Sequence, residues 1–183
     1  MENKKLFDPI LDEDEKIQEI FTPNFLRFTV IPSAFYTLIV LLFCLPAVLV
    51  FAFEDDSAFL AIPIGGFAIF FGLLMFLISF VSYSKAAYCY TNKRIIIRSG
   101  FIGVDYHAID FDLIGGMDVH VDFMDKFIRP NTGSIVFASA ASPIIQQNQK
   151  VGAYSFKAID NPYEVYKRVK AYSSKNKDGQ FNS

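Results

Sequence analysis

The stretch FTVIPSAFYTLIVLLFCLPAVLVFAF, Phe28 to Phe53, then EDD at Glu54 to Asp56, then SAFLAIPIGGFAIFFGLLMFLISFVSYS, Ser57 to Ser84, decides how this chain is built. The first run holds 26 residues without a charge and the second 28. A helix needs roughly 20 apolar residues to cross about 30 Å of hydrocarbon, so each run is long enough. A soluble core helix of that length would carry a polar face, and neither run has one. The reading is a transmembrane hairpin over 28–84, with spans 28–53 and 57–84 and a very short acidic turn between them. Both ends of such a hairpin lie on the same side of the membrane.

Basic residues set which side that is. Arg27 precedes the first span; Lys85, Lys93, Arg94 and Arg98 follow the second; the turn has none. Both termini are therefore expected to face the cytoplasm. Phe25, Phe28, Tyr83 and Tyr88 suit the inner interface and Phe51, Phe53 and Phe59 the outer one. Pro32, Pro46 and Pro63 are tolerable because spanning helices can re-satisfy freed backbone groups.

Two narrow seams of mostly small residues run along the spans. Ser33, Thr37, Val40, Cys44 and Ala47 mark the first, and Ala58, Ala61, Gly65, Ala68 and Gly72 the second. Helices in lipid associate by close packing, which small residues permit. The seams are expected to pack on each other, with Gly65 and Gly72 also suited to dimerisation. Neither span contains Asp, Glu, Lys, Arg or His, which argues against a transport pathway.

The hairpin accounts for the 52% hydrophobic content of the 183 residues. The net charge of −2 is spread unevenly. Residues 1–26 carry three Lys against seven Asp and Glu, whereas residues 86–172 carry ten Lys and Arg against eight acids. So weak a positive balance points away from a nucleic-acid partner. Cys44 and Cys89 form no disulfide framework and no zinc spacing. The long acidic leader and the length of the apolar run argue against a secretory signal peptide.

Residues 1–27 form that leader. A short helix is expected around residues 12–21, ending near Thr22-Pro23 because the residue before proline resists the α region. Beyond the hairpin, residues 85–172 change to short strands: 86–91, a turn at Asn92-Lys93, 94–98, 106–111, 116–123, 134–140 and 150–159. Ile95 and Ile97 share one face; Ile96 shares the other with Arg94 and Arg98. A loop is expected over 125–133. Strands this close, with turn signals between them, suggest a small antiparallel barrel or sandwich. Asp160-Asn161-Pro162 is a helix start. Tyr163, Tyr166 and Val169 make one stripe of a closing helix over 162–172. The polar tail 173–183 is expected to be disordered.

Two spans followed by Tyr88, Thr91, Arg94, Ile95, Ile96 and Gly100 resemble the bacterial membrane-anchored pleckstrin-homology-like family, with its Y-x-x-T-x-x-R opening. Asp110 to Val121, Thr132-Gly133-Ser134-Ile135 and Asn161-Pro162-Tyr163-Glu164-Val165-Tyr166 are similar to its later motifs. Glu15-Lys16-Ile17 resembles its leader. The resemblance covers about residues 13–172 and departs at Arg129-Pro130-Asn131. It implies a seven-stranded barrel capped by one helix, held at a bacterial cytoplasmic membrane.

Candidate chemistry is sparse. Asp118, His120 and Asp122 alternate with valines and would project from one strand face. A solvated strand edge explains them better than a metal site, and His107 reads as a surface histidine. Lys93, Arg94 and Arg98, with Lys126 and Arg129, form a candidate patch for lipid head-groups. The same residues also serve the positive-inside signal. No GxSxG, HExxH or phosphate loop is present, so no catalytic residue, cofactor or metal is assigned. The expectation is a non-enzymatic membrane protein presenting its β domain to a protein partner or a second copy. The alternatives are an anionic-lipid-sensing module and an accessory subunit of a larger membrane complex. The leader is also a candidate intramolecular ligand for a basic face of the domain.

Overall fold

The computed structural model describes residues 2–53, 59, 61–127, 131–139 and 154–180. It divides into two units, residues 25–84 and residues 1–24 with 85–183.

The first unit is a pair of helices. A five-residue π-helical stretch, Leu26–Val30, leads into α1, Ile31–Phe53; α2 is Ala61–Lys85. Both are long and apolar enough to cross a membrane. Almost none of either apolar window is buried within the chain, and large side chains such as Leu42, Phe43, Ile69 and Phe70 point outward. The small-residue seams are among the covered positions. Ser33 and Ala68 are buried, and Thr37, Val40, Cys44, Ala47, Ala61, Gly65 and Gly72 are half-buried. Ala58 lies outside the described residues. Ser33 and Thr37 turn their hydroxyls back to the carbonyls of Thr29 (2.5 Å) and Ser33 (2.7 Å), so neither presents an unpaired donor.

Gly72 marks where α1 and α2 approach. A Cβ placed there would lie 2.9 Å from both Thr37 Cγ2 and Thr37 Oγ1. Rotating Thr37 away would sacrifice its bond to Ser33. Gly72→Ile is therefore expected to cost about 1–3 kcal/mol, the usual range for overpacking. Thermal unfolding in detergent checks this; the Thr37→Ala, Gly72→Ile double variant should recover part of the loss.

Among the described residues, the second unit is built from seven strands. Its first strand precedes the hairpin: β1 is Ile17–Phe21. The chain leaves for the helices, then continues with β2, Ala87–Thr91; β3, Arg94–Ser99; β4, Asp105–Asp110; and β5, Ile114–His120. A short helix α3, Phe123–Phe127, precedes β6, Thr132–Ser139, and β7, Ser155–Asp160. The closing helix α4 runs from Pro162 to Gln180. All pairings are antiparallel. One sheet has the order β1-β2-β3-β4 and the other β5-β6-β7.

These are two antiparallel sheets, which fits the sandwich that the strand pattern allowed and not the closed barrel that the family resemblance implied. The one-turn 3₁₀ segment Phe111–Leu113 carries the chain from β4 to β5 without pairing them. The main core lies between the sheets and under α4: Tyr88, Tyr90, Ile95, Ile97 and Ile109 from one side, Ile135, Phe137, Phe156 and Ile159 from the other, with Val165 and Val169. Tyr88, read above as a membrane-interface anchor, is 2% exposed and stacks on Phe156 at 5.2 Å between centroids.

The leader is not a helix over 12–21. Its residues 17–21 are β1, hydrogen-bonded beside β2 with Ile20 opposite Cys89 and Phe21 opposite Tyr88. A register shift between Ile17 and Glu19 explains the misreading. The extra residue of a bulge puts Ile17 and Ile20, three apart, against the same outer cluster. A spacing of three is also the helical signal. The preceding residues cover the outer face of the sheet. Phe7, fully buried, packs with Ala87, Cys89 and Ile96, and Tyr106 donates its hydroxyl to the Leu6 carbonyl at 2.7 Å. With a core on each face, β2 is buried along its whole length.

Two other boundaries differ. The loop expected over 125–133 contains part of α3 and the start of β6. Asp125 caps α3 by reaching back to the Asp122 N–H at 2.9 Å, the reciprocal bond of a capping box. The helix expected to end at 172 continues to Gln180 where a disordered tail was expected. Its apolar stripe ends, yet each further residue adds a backbone hydrogen bond without a new nucleation cost.

Candidate interaction surface

Among the described candidate basic residues, Arg94 and Arg98 are each engaged by groups of this chain. Arg94 is committed to the leader. Its Nε and Nη2 donate to Glu15 Oε1 at 3.0 Å and Oε2 at 2.7 Å, and Nη2 also reaches the Ile10 carbonyl at 3.0 Å. Thr91 Oγ1 donates to Glu15 Oε1 at 2.6 Å. The Glu15 side chain has no exposed surface. Burial alone would raise its pKa; the hydrogen bonds from Arg94, Thr91 and the Asp12 N–H, with the Arg94 charge, outweigh it and hold the carboxyl below its ordinary value. The same hydrogen bonds hold Arg94 more firmly protonated.

Lys93 sits 3.8 Å from Asp12 in an exposed pair. Arg98 turns to the end of α2, where Nη1 donates to the Lys85 carbonyl at 2.6 Å. Lys126 is exposed on α3, and Arg129 lies outside the described residues. The leader is also held from α4. Glu19 pairs with Arg168 at 3.1 Å, and the Arg168 guanidinium lies over the Phe21 ring at 5.9 Å. The acidic excess of the leader is thus matched, in part, by basic residues of its own domain.

The other sequence candidates are modest. His120 Nε2 lies 2.9 Å from Asp122 Oδ1, and Asp118 is exposed on β5. Among the described residues no group of three or more His, Cys, Asp or Glu is placed to hold a metal ion. Cys89 is fully buried; burial first, and then the charge of Glu15, push its thiol up to about 12.

Among the described residues, two concavities stand out. One, of about 500 Å³, lies at the start of α4 between Val121, Asp125, Lys126, Thr132, Tyr163 and Glu164. Asp125, its buried carboxylate, is engaged by Thr132 Oγ1 at 2.8 Å as well as by the Asp122 N–H, so its role there is structural. The other, of about 370 Å³, is a groove between β5 and α4. It is lined by Gly115, Gly116 and Met117 on one side and Tyr166, Lys170 and Ser173 on the other. β5 is an edge of its sheet. A side chain at Gly115 would meet open space, and glycine at a strand edge permits close approach by another backbone.

Sequence reading missed this groove. Gly115-Gly116 was legible as a pair, but its position on an edge strand beside α4 depends on the sheet order.

The fold and the groove describe a pleckstrin-homology-like domain interrupted by a helical hairpin. The sequence matches the family described as Bacterial PH domain over residues 28–173, and the chain belongs to that family. No curated protein matches it. A crystal structure of a DUF1696 family protein with a pleckstrin-homology domain from Shewanella loihica PV-4 is similar, at 12% identity, 94% coverage of each chain and a TM-score of 0.43.

Proposed function

We propose that this chain is a non-enzymatic, membrane-anchored interaction module. In this reading α1 and α2 cross the bacterial cytoplasmic membrane and the PH-like domain stands on the cytoplasmic side. The observation that carries it is the placement of two long helices with outward apolar faces between strands β1 and β2 of one small domain. Anything that holds the helices in lipid holds the domain at the leaflet, because the chain enters and leaves it through them.

The partner surface is the groove between β5 and α4. An extended segment of a protein partner, or of a second copy, would add to the β5 edge through its backbone and be selected by side-chain fit along Met117 and Tyr166. Tethering at the membrane raises the effective concentration of such a partner. The engagement of Arg94 by Glu15 and of Arg98 by Lys85 favours a protein partner over anionic-lipid sensing by those residues. An accessory role in a larger membrane complex would use the outward faces of α1 and α2 instead.

Cysteine labelling and photocrosslinking test this. Cys89 stays unlabelled at neutral pH because a buried thiol raised to about 12 is not a thiolate. In a Cys44→Ser background, Ser57→Cys should react with an impermeant reagent in intact cells and Ser174→Cys only after permeabilisation. Release of the protein by alkaline carbonate would overturn the membrane reading. A photocrosslinking residue at Gly115 should give one discrete adduct in membranes, and the same residue at exposed His107 none. Equal, diffuse labelling from both positions would overturn the groove.

A further inference from the structure

Turn tips in water are usually built from Gly, Pro, Asn, Asp and Ser. The turn between β3 and β4 is Gly100-Phe101-Ile102-Gly103-Val104. Ile102 is 91% exposed and Phe101 45%. The turn is held open in this form. Gly100 has a φ of +146°, which L side chains rarely adopt, and a Cβ there would run into the Gly103 carbonyl oxygen. The backbone closes tightly at its base and sends its apolar side chains outward.

The same turn is tied to the end of α2. Lys85, the last residue of that helix, donates its ammonium to the carbonyl oxygens of Phe101 and of Ile102, the latter at 2.8 Å. The Lys85 carbonyl in turn accepts from Arg98 of β3 at 2.6 Å. The apolar tip is therefore fixed beside the point where the chain leaves the hairpin.

We infer that residues 100–104 are a lipid-seated wedge, with Phe101 and Ile102 entering the boundary between head-groups and acyl chains of the leaflet from which α2 emerges. This rests on the membrane reading above and adds a second anchorage to it. Lipid is the occupant because Lys85, which holds the tip, is the residue at which the chain leaves α2, and in the membrane reading that exit lies at the leaflet surface. The chemistry suits that boundary. The Phe101 and Ile102 carbonyls are already satisfied by Lys85, so entering a less polar medium leaves neither stranded. The ammonium sits where lipid phosphates lie, and an apolar tip beside a cation is the pattern of interfacial anchors. A hairpin alone tethers the domain; a wedge beside its exit restricts how the domain turns at the leaflet.

The chain contains no tryptophan, so a single introduced indole reports on one place. Three full-length variants would be reconstituted in phosphatidylcholine–phosphatidylglycerol vesicles: Ile102→Trp; Phe43→Trp, on the outward face of α1; and Tyr163→Trp, exposed at the start of α4. Lipids brominated at shallow or deep acyl positions serve as quenchers. Phe43→Trp should be quenched by deep bromines. Ile102→Trp should be blue-shifted and quenched by shallow bromines, at least about twofold more than Tyr163→Trp. Quenching at 102 no greater than at 163, with Phe43→Trp still quenched, overturns the wedge and leaves the hairpin in the membrane. Blue-shifted emission at 102 without quenching places protein over the tip and also overturns the wedge. Absence of quenching at 43 overturns the membrane reading and the wedge with it.

Discussion

Phe156→Ala is expected to remove about 3–5 kcal/mol from the stability of the PH-like domain, the usual range for emptying a buried phenylalanine site. Phe156 is fully buried on β7. Its ring meets Tyr88 of β2 at 5.2 Å, Phe137 of β6 at 4.9 Å and Phe21 of β1 at 5.7 Å. It is thus the side chain through which both sheets and the leader strand share one core. Small domains have net stabilities of about 5–15 kcal/mol, so the loss is a large fraction of the whole. Hydrogen exchange on the detergent-solubilised chain checks it. Amides of β2, β6 and β7 should lose protection together, whereas those of α1 and α2 should keep theirs, because residues 25–84 form a separate compact unit. Protection unchanged in the strands would contradict this account of the core.

Glu15→Ala is expected to cost about 3 kcal/mol, concentrated in the leader. Removing one partner of a buried pair leaves the other charge uncompensated, which costs about 3–5 kcal/mol when both are fully buried. The lower end applies because the Arg94 side chain is 20% exposed and keeps the Asp12 carboxylate at 3.6 Å. The Asp12 N–H loses its acceptor as well, and the Thr91 hydroxyl is left with the Arg94 carbonyl at 3.0 Å. Exchange at β1 should accelerate by about a hundredfold, since each 1.4 kcal/mol is tenfold. The pH dependence has a definite sign. The folded carboxyl titrates below its ordinary value, so its contribution is complete above the unfolded pKa of about 4.3 and is lost as pH falls through the lower folded value. Wild-type β1 should loosen on acidification in that window, and Glu15→Ala should abolish this part of the pH response. Arg94→Ala should loosen β1 in the same way. Leader release by either variant would uncover Phe7, Cys89 and Ile96, and Cys89 would become reactive to thiol reagents.

Local patterns carried much of the architecture. The uncharged runs placed both helices, and Asp160-Asn161-Pro162 placed the start of α4. The alternation of Ile95, Ile96 and Ile97 assigned each residue to the correct side of β3, because a strand has a strict period of two. The bulge in β1 broke that period and read as a helix. The unbroken burial of β2 is also a tertiary effect, since its outer face is dry only because Phe7 and Leu6 return to cover it. The basic patch was legible as a list of cations. Nothing local indicates that Arg94 would be matched by a glutamate 79 positions earlier.

The sequence by itself determined that this chain pairs two long apolar helices with a small antiparallel β domain closed by a helix. Length, charge-free runs and short periodicities are local quantities, and they survive any arrangement of the parts. Tertiary structure decided that the β domain begins before the helices, that it forms two sheets, and that its charges are spent on one another. It also decided that β5 stands at an edge beside α4 and that the Phe101–Ile102 tip is tied to Lys85. Each of these joins residues far apart in the chain, where side-chain shape and hydrogen-bond geometry select the partner and sequence spacing says nothing about the choice.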